Sequence, residues 1–490
     1  MSNMKKILFA ASECYPFVKT GGLADVVGSL PQAFDKEEYD IRVILPYYNK
    51  IIPAKYRDKT ETVYYFQMDN RIYVGIKKLV NDGITYYFID NEQYFSGLVP
   101  YYDMYQDLER FAYFSKAVLS SLPLIGFRPD IIHCHDWQAA LIPVYLNTVF
   151  QGDPFFRGMK TIFTIHNIRF KGEWDVGHIR WVSALPSEVF QPGLLVSPYQ
   201  DRSIPRDQWT CSMMRGALVY SDYITTVSSS YAQEIQTPAF GEGLEDILKW
   251  RKERLLGIVN GLDYTVWDPR EDGKIEHRYG AGNDLKKNRK LNKLALQQEL
   301  GLPEDEDVFT LAIISRLTDQ KGLDIVDGMM DRLCQMHINL VVLGTGDPHY
   351  ENMFRYYESK YPDKVKAVIS YSDALSHRMY ASCDAILVPS AFEPCGLTQL
   401  IALRYGMIPI VHEIGGLKDT VKPFNEYEDK GTGFSFHDYT ADALLDRVKH
   451  AEWAWYNKKQ LWTNMQRRGM KEDWSWNNSK QAYIDLYAKL

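Results

Sequence analysis

Regular alternation of short apolar runs with amphipathic stretches constrains this 490-residue chain more than any other feature. In the second half, Val308–Ile314, Asn339–Leu343, Val365–Ser370, Ala385–Val388 and Ile408–Val411 read as strands. Helical stretches at Leu323–Gln335, Pro348–Lys360, Ser376–Ala381, Leu397–Tyr405 and Leu417–Val421 separate them. The first half keeps the same rhythm. Its strands are expected at Ile7–Ala11, Ile41–Leu45, Arg71–Lys77, Thr85–Ile89, Asp130–Cys134, Lys160–Ile165 and Tyr223–Val227, with a helix over Leu108–Leu122. Alternation of this kind predicts an α/β fold built on parallel sheets with helices on both faces. The length exceeds one ordinary domain. A division is expected near Asn260-Gly261, giving domains 1–260 and 261–470, with the polar stretch Asp268–Lys290 as an insertion or connector. Trp474, Trp476 and Tyr483 make the end of the chain too apolar for a free tail, so residues 471–490 are expected to return as a helix against the first domain.

Parallel α/β sheets bind ligands at the carboxyl ends of their strands. Two loops there carry cations. Lys19-Thr20-Gly21-Gly22 follows the first strand and opens a helical run from Leu23. Glycine lets a backbone approach a ligand, and a helix N-terminus favours negative charge. Ser315-Arg316-Leu317-Thr318-Asp319-Gln320-Lys321-Gly322 follows the strand Val308–Ile314. Arg316 and Lys321 can converge there on one anion, one as a fork and the other as a point charge. Two such loops suggest one diphosphate held between two domains. A third loop, Ser390-Ala391-Phe392-Glu393-Pro394-Cys395-Gly396-Leu397-Thr398, follows Ala385–Val388. Amides of Cys395, Gly396, Leu397 and Thr398 can meet phosphate oxygens, while Glu393 suits sugar hydroxyls or developing positive charge. Alone, Glu393 reads as an acid complementing a helix dipole; beside two cations, function is favoured.

The formal net charge of -7 argues against nucleic-acid binding, which calls for a basic face. An anionic ligand must then be drawn by local charge. Six scattered cysteines without a C-x-x-C pair fit reduced thiols in a cytoplasmic enzyme. The apolar run behind Lys5-Lys6 is too short for a leader and scans as a strand, and no run suits a membrane span.

Other motifs carry less. His166, ending the strand Lys160–Ile165, can meet a substrate, although a lone strand-end histidine is more often only hydrogen-bonded. His133 and His135 share one strand face and stand beside Asp136, a spacing that suits zinc, but nothing completes the shell and a polar substrate edge is preferred. Glu304-Asp305-Glu306-Asp307 holds a D-x-D pattern at the wrong edge and reads as a solvated turn. Gly344-Thr345-Gly346-Asp347 lacks the third glycine of a dinucleotide fingerprint.

With these residues the chain resembles the bacterial glycogen synthase and plant starch synthase family almost end to end. The resemblance rests on Lys19-Thr20-Gly21-Gly22-Leu23-Ala24-Asp25-Val26, His133–Trp137, His166-Asn167, Asn260-Gly261, the Arg316 and Lys321 loop, Glu393-Pro394-Cys395-Gly396-Leu397-Thr398-Gln399, and Gly415-Gly416-Leu417 with Asp419-Thr420-Val421. It implies a GT-B type glycosyltransferase fold, two Rossmann-like domains facing across a deep cleft, with a hinge near Gly261. It implies retaining transfer of glucose from ADP-glucose to the non-reducing-end 4-hydroxyl of glycogen or a maltooligosaccharide, with no metal or other cofactor. Carried over by motif, Lys19, Arg316 and Lys321 hold the diphosphate with Gly21 and Gly22 beside them. Glu393 and His166 contact donor glucose, and Asp25, Asp136 and Tyr101 serve the acceptor. Asn260 sits near the hinge, and Tyr371 packs on adenine. The sequence Ile168-Arg169-Phe170-Lys171-Gly172 departs from the family's usual alanine-tyrosine-glutamine pattern, which puts that loop's details in doubt.

Rival readings remain open at this point: UDP-glucose as donor, another acceptor, a pyridoxal-phosphate phosphorylase, or a non-catalytic glucan-binding protein. A phosphorylase needs a cofactor lysine motif that is not evident. A pure binding module has no reason to keep Lys19, Arg316, Lys321 and Glu393 together.

Overall fold

The computed structural model describes residues 4–69 and 71–490. They form two compact units, one running to Val259 and taking in Ser479–Leu490, the other spanning Asn260–Asn478.

The first unit contains strands β1 (Lys5–Ala10), β2 (Tyr39–Pro46), β3 (Glu61–Met68), β4 (Ile72–Asn81), β5 (Ile84–Asp90), β6 (Ile131–His135), β7 (Lys160–Ile165), β8 (Glu173–Asp175), β9 (Thr210–Ser212), β10 (Tyr223–Thr226) and β11 (Leu255–Gly257). Nine of them form one sheet in the order β11-β10-β7-β6-β1-β2-β5-β4-β3. β1 lies inside it, parallel to β2 and β6, with Ile7 to Ala10 wholly buried. A strand covered on both faces needs the continuous apolar run that its sequence supplies.

The sheet is not purely parallel, which corrects the expectation. β4 pairs antiparallel with both β3 and β5. Asp82 and Gly83 turn the chain between β4 and β5 with φ of 49° and 77°, a geometry typical of tight hairpins. β3 escaped the sequence reading because it is an edge strand whose Tyr64 and Tyr65 face solvent. β8 and β9 form a separate two-stranded ribbon.

The chain re-enters this unit at its end. Helix Trp476–Ala488 buries Tyr483 and Tyr487. The Tyr487 hydroxyl lies 3.0 Å from His133 Nδ1, and Ser479 Oγ donates to the Val259 carbonyl at 2.6 Å.

The second unit holds an all-parallel sheet of β12 (Phe309–Ile314), β13 (Ile338–Leu343), β14 (Val365–Val368), β15 (Ala385–Val388), β16 (Ile408–His412) and β17 (Phe434–Phe436). Its order is β14-β13-β12-β15-β16-β17. β12 and β15 are neighbours at its centre. The expected helix Leu323–Gln335 is instead two short pieces, Leu323–Asp327 and Met330–Leu333, interrupted near Gly328.

Part of the stretch read as an insertion or connector is the start of helix Leu285–Leu300. Its buried face carries Arg289, Asn292, Lys293 and Gln297, so it shows little apolar periodicity. These polar groups are satisfied internally. Arg289 donates to the Tyr380 and Tyr405 carbonyls, and Lys293 Nζ lies 2.5 Å from Asp384 Oδ2.

Candidate active site

In the first unit, Lys19, Gly21, Gly22, Asp25, Asp136 and His166 lie beyond the carboxyl ends of β1, β6 and β7. Beyond β1 the chain loops to helix Gly22–Ser29. Lys19 Nζ and Asp25 Oδ1 form an ion pair at 2.7 Å, both side chains partly exposed. Gly21 is extended, with φ near -159°, and a Cβ built there meets nothing within 4 Å. The space beside the helix N-terminus is therefore open.

A residue missed in the sequence shapes this loop. Glu13 is buried, at 3% exposure, and accepts from the Thr20 backbone N–H and, at 2.6 Å, from the Thr20 hydroxyl. The Tyr101 hydroxyl donates to the same carboxylate at 2.5 Å and meets the Ser12 hydroxyl at 2.8 Å. Tyr101 thus points its hydroxyl inward at the Lys19 loop. Burial, with Glu13 next, holds the Tyr101 pKa well above the ordinary tyrosine value. No spacing rule in the sequence singles out Glu13; the signal is a lone acid directly behind an apolar strand.

His133, His135 and His166 are brought together through one another and through Thr164. His135 Nδ1 lies 3.0 Å from His166 Nε2, and His133 Nε2 lies 2.6 Å from the Thr164 hydroxyl. Burial lowers the His133 and His166 pKa values to about 3, so the rings are neutral. Among the described residues, no three His, Cys, Asp or Glu side chains gather as metal ligands. Asp136 has a left-handed backbone, φ 56°, and accepts from the His166 backbone N–H at 2.8 Å. Burial raises its pKa to about 7 despite that hydrogen bond. In the divergent loop, Lys171 donates to the Glu242 carbonyl at 2.8 Å and pairs with Glu173 at 3.0 Å. Gly172 has φ 59°, and a Cβ there would strike the Trp137 ring at 2.4 Å. Lys171 is thus tied into the first unit by two contacts.

In the second unit, the loops after β12 and β15 are stitched together. Lys321 Nζ sits 2.6 Å from Glu393 Oε2, which also accepts from the Ser390 hydroxyl at 2.8 Å. The Ala391 N–H donates to the Gln320 carbonyl at 2.9 Å. Gly322 has φ 71°, and a Cβ there would stand 2.0 Å from the Pro389 carbonyl oxygen. Only glycine allows both the backbone turn and this approach. Arg316 is exposed beside them. The buried hydroxyls of Ser315 and Thr318, in the same loop, lack protein partners. Unsatisfied buried hydroxyls next to two cations suit a phosphate.

The Glu393 loop leads into helix Thr398–Tyr405, whose start has no side-chain cap. Gly396 has φ 74°, and Gln399 Nε2 donates to the Cys395 carbonyl at 2.8 Å. Burial pushes the Cys395 thiol up to about 12, so it is inert as a nucleophile. The backbone of Asn260 hydrogen-bonds that thiol, and Asn260 Oδ1 is buried without a partner. Tyr371 is 79% exposed in the loop after β14, its ring free for stacking.

The weaker motifs have structural explanations. A Cβ at Gly344 would stand 1.9 Å from the Ser315 carbonyl oxygen, and one at Gly346 2.3 Å from that of Leu317. These glycines let two loops pack against each other. The acidic turn is exposed at its start and joined to helix Leu285–Leu300 through Lys290 and Glu306 at 2.6 Å.

Comparison with known proteins places the chain in a family. Residues 6–250 match the family model for the starch synthase catalytic domain, and residues 294–467 match that for glycosyl transferases group 1. The chain is 51% identical to a glycogen synthase of Lachnospira eligens, across 99% of this chain and 100% of that one. It is 49% identical to a glycogen synthase of Lachnoclostridium phytofermentans over the same shares. The catalytic domain of starch synthase IV from Arabidopsis thaliana, solved with ADP and acarbose, superposes with a TM-score of 0.89 at 30% identity, covering 100% of this chain and 99% of that one. A sucrose-phosphate synthase at 16% identity and TM-score 0.61 shares the fold alone. The chain is a GT-B glycosyltransferase and belongs to the glycogen synthase and starch synthase family.

Proposed function

We propose that this enzyme transfers glucose from ADP-glucose to the non-reducing-end 4-hydroxyl of an α-1,4-glucan, with retention at the anomeric carbon. The observation that carries this reading is the 2.6 Å pair of Lys321 and Glu393, beside exposed Arg316 and two unpartnered hydroxyls. Cations suited to a diphosphate thus adjoin a carboxylate suited to a sugar.

In this mechanism Arg316 and Lys321 bind the diphosphate and stabilise the charge that grows as it departs. Amides from Cys395 to Thr398 add donors, and Lys19, with open space at Gly21, adds a further cation. Glu393 holds a donor hydroxyl and faces the oxocarbenium character developing on the sugar. His166, kept neutral by burial, offers a hydrogen bond without a competing positive charge. Asp25, Asp136 and Tyr101 serve the acceptor. Tyr371 stacks on the adenine, and Asn260 supports the Cys395 turn. Glu393, held by Lys321 and Ser390 and assigned to a sugar hydroxyl, is a poor nucleophile, so we favour front-face attack, in which the departing phosphate takes the acceptor proton. The cations take the neutralising role, so no metal is required.

Initial rates with radiolabelled ADP-glucose and UDP-glucose, on glycogen and with or without EDTA, test this. Label entering α-1,4 linkages from ADP-glucose, at an EDTA-independent rate, is expected. Preference for UDP-glucose, or loss of rate with EDTA, would overturn the donor or the metal-free assignment respectively. A UDP-glucose preference is the alternative kept open, because adenine recognition rests on stacking at an exposed ring.

A further inference from the structure

The second unit carries another cationic pocket, at the edge of its sheet opposite the loops just described. Asp307 stands two residues before β12 and Asp384 one before β15, and both line it. The remaining wall comes from helix Leu285–Leu300 and from helices Ala441–Asn457 and Lys459–Lys471. The cavity is about 110 Å³. A water needs about 10–15 Å³ on this measure, so a tetrahedral oxyanion fits.

The charges here do not balance. Lys290 is paired with Glu306 at 2.6 Å, and Lys293 with Asp384 at 2.5 Å. Arg289 is buried but meets only a tyrosine hydroxyl and backbone carbonyls, so its charge has no carboxylate partner. Lys286 and Lys459 are exposed at the mouth and pair with no carboxylate among the described residues. Lys459 Nζ stands 4.0 Å from the centre of the Trp455 ring, and Lys293 Nζ 4.6 Å from it. Partial burial lowers the Lys459 pKa; Asp307 and Asp384 oppose the shift, and Lys293 and Lys290 add to it.

A second observation points the same way. The Trp455 indole N–H donates to the Asp307 carbonyl at 3.2 Å. The Trp462 indole N–H, in the same wall and 2% exposed as a residue, has no acceptor in the protein. A buried tryptophan N–H ordinarily finds one. A donor without an acceptor, next to cations without anions, describes a site that takes an anion.

We propose that this pocket is a binding site for a phosphate group, separate from the nucleotide-sugar site, held by Lys286, Lys459 and the Trp462 N–H. Two sources share this chemistry, free phosphate and the phosphoryl group of a small metabolite.

Calorimetric titration of the full chain with inorganic phosphate, and separately with a hexose monophosphate, tests it. Saturable binding of at least one probe is expected. Lys459→Glu and Lys286→Glu, both surface changes, should weaken it about tenfold or more. Arg316→Ala should leave it unchanged. Tighter binding of the ester supports the site as one for a metabolite, and equal or tighter binding of the ion supports it as one for free phosphate. Binding lost in Arg316→Ala but kept in Lys459→Glu would overturn the proposal, since the probe would then occupy the nucleotide site. No saturable binding of either probe would also overturn it.

Discussion

Lys321 Nζ and Glu393 Oε2, from loops after neighbouring central strands, stand 2.6 Å apart. The Ser390 hydroxyl donates to the same oxygen at 2.8 Å, so two protein groups hold the carboxylate in place. Groups set in place beforehand need little reorganisation as charge develops, which is where electrostatic catalysis gains most.

Removing the cation should therefore hurt twice. Lys321→Met is expected to lower kcat by about 10²–10³, by analogy with loss of one oxyanion donor. It also leaves the buried Glu393 carboxylate without its partner, at a cost of about 3 kcal/mol. Turnover assays and urea denaturation of the same variant read both. Arg316→Ala, at an exposed site, should reduce kcat without the stability loss.

Glu13 ties the Lys19 loop to Tyr101. Glu13→Ala removes the acceptor for three donors and should leave the Thr20 N–H unsatisfied. We expect a rise in KM for the donor and a fall in kcat, with a lower unfolding temperature because the buried Tyr101 hydroxyl loses its acceptor. An unchanged KM would show that the loop holds its shape without that carboxylate.

The Asp136 pKa is raised by burial to about 7. Folded protein then holds this proton more tightly than the unfolded chain, whose carboxyl titrates near 4. Its ionisation opposes folding progressively from about pH 4, and fully above about pH 7. Relative to wild type, Asp136→Asn should gain stability between pH 5 and pH 8 in denaturant titrations. If ionised Asp136 orients the acceptor, kcat/KM for glucan rises through about pH 7 in wild type, and Asp136→Asn removes that limb.

Gly322 adopts φ 71°, and a Cβ there would stand 2.0 Å from the Pro389 carbonyl oxygen. Gly322→Ala combines left-handed strain of about 1–2 kcal/mol with a backbone clash, so it should lower the melting temperature and separate Lys321 from Glu393. Activity should fall with it.

Much of this architecture is legible in the sequence because buried parallel strands need continuous apolar runs. β1, β7, β12, β13 and β15 announce themselves in that way. Strand β3 does not, because its outer face is wet, and helix Leu285–Leu300 does not, because Arg289 is buried by hydrogen bonds to carbonyls and Lys293 by its pair with Asp384, not by apolarity. The site divides similarly. Lys19, Arg316, Lys321 and Glu393 sit in loops whose glycines mark them. Glu13 and the neutral state of His166 depend on what surrounds them in space, and a linear pattern carries no trace of either.

The central claim is that Glu393 acts on the donor sugar and not on glucan affinity, and Glu393→Gln tests it most directly. Transfer from ADP-glucose and glycogen binding should be measured on the same preparation. The account predicts a fall in transfer of about 10²–10³ with glycogen affinity unchanged. Transfer close to wild type, or glycogen binding lost in step with activity, would contradict it.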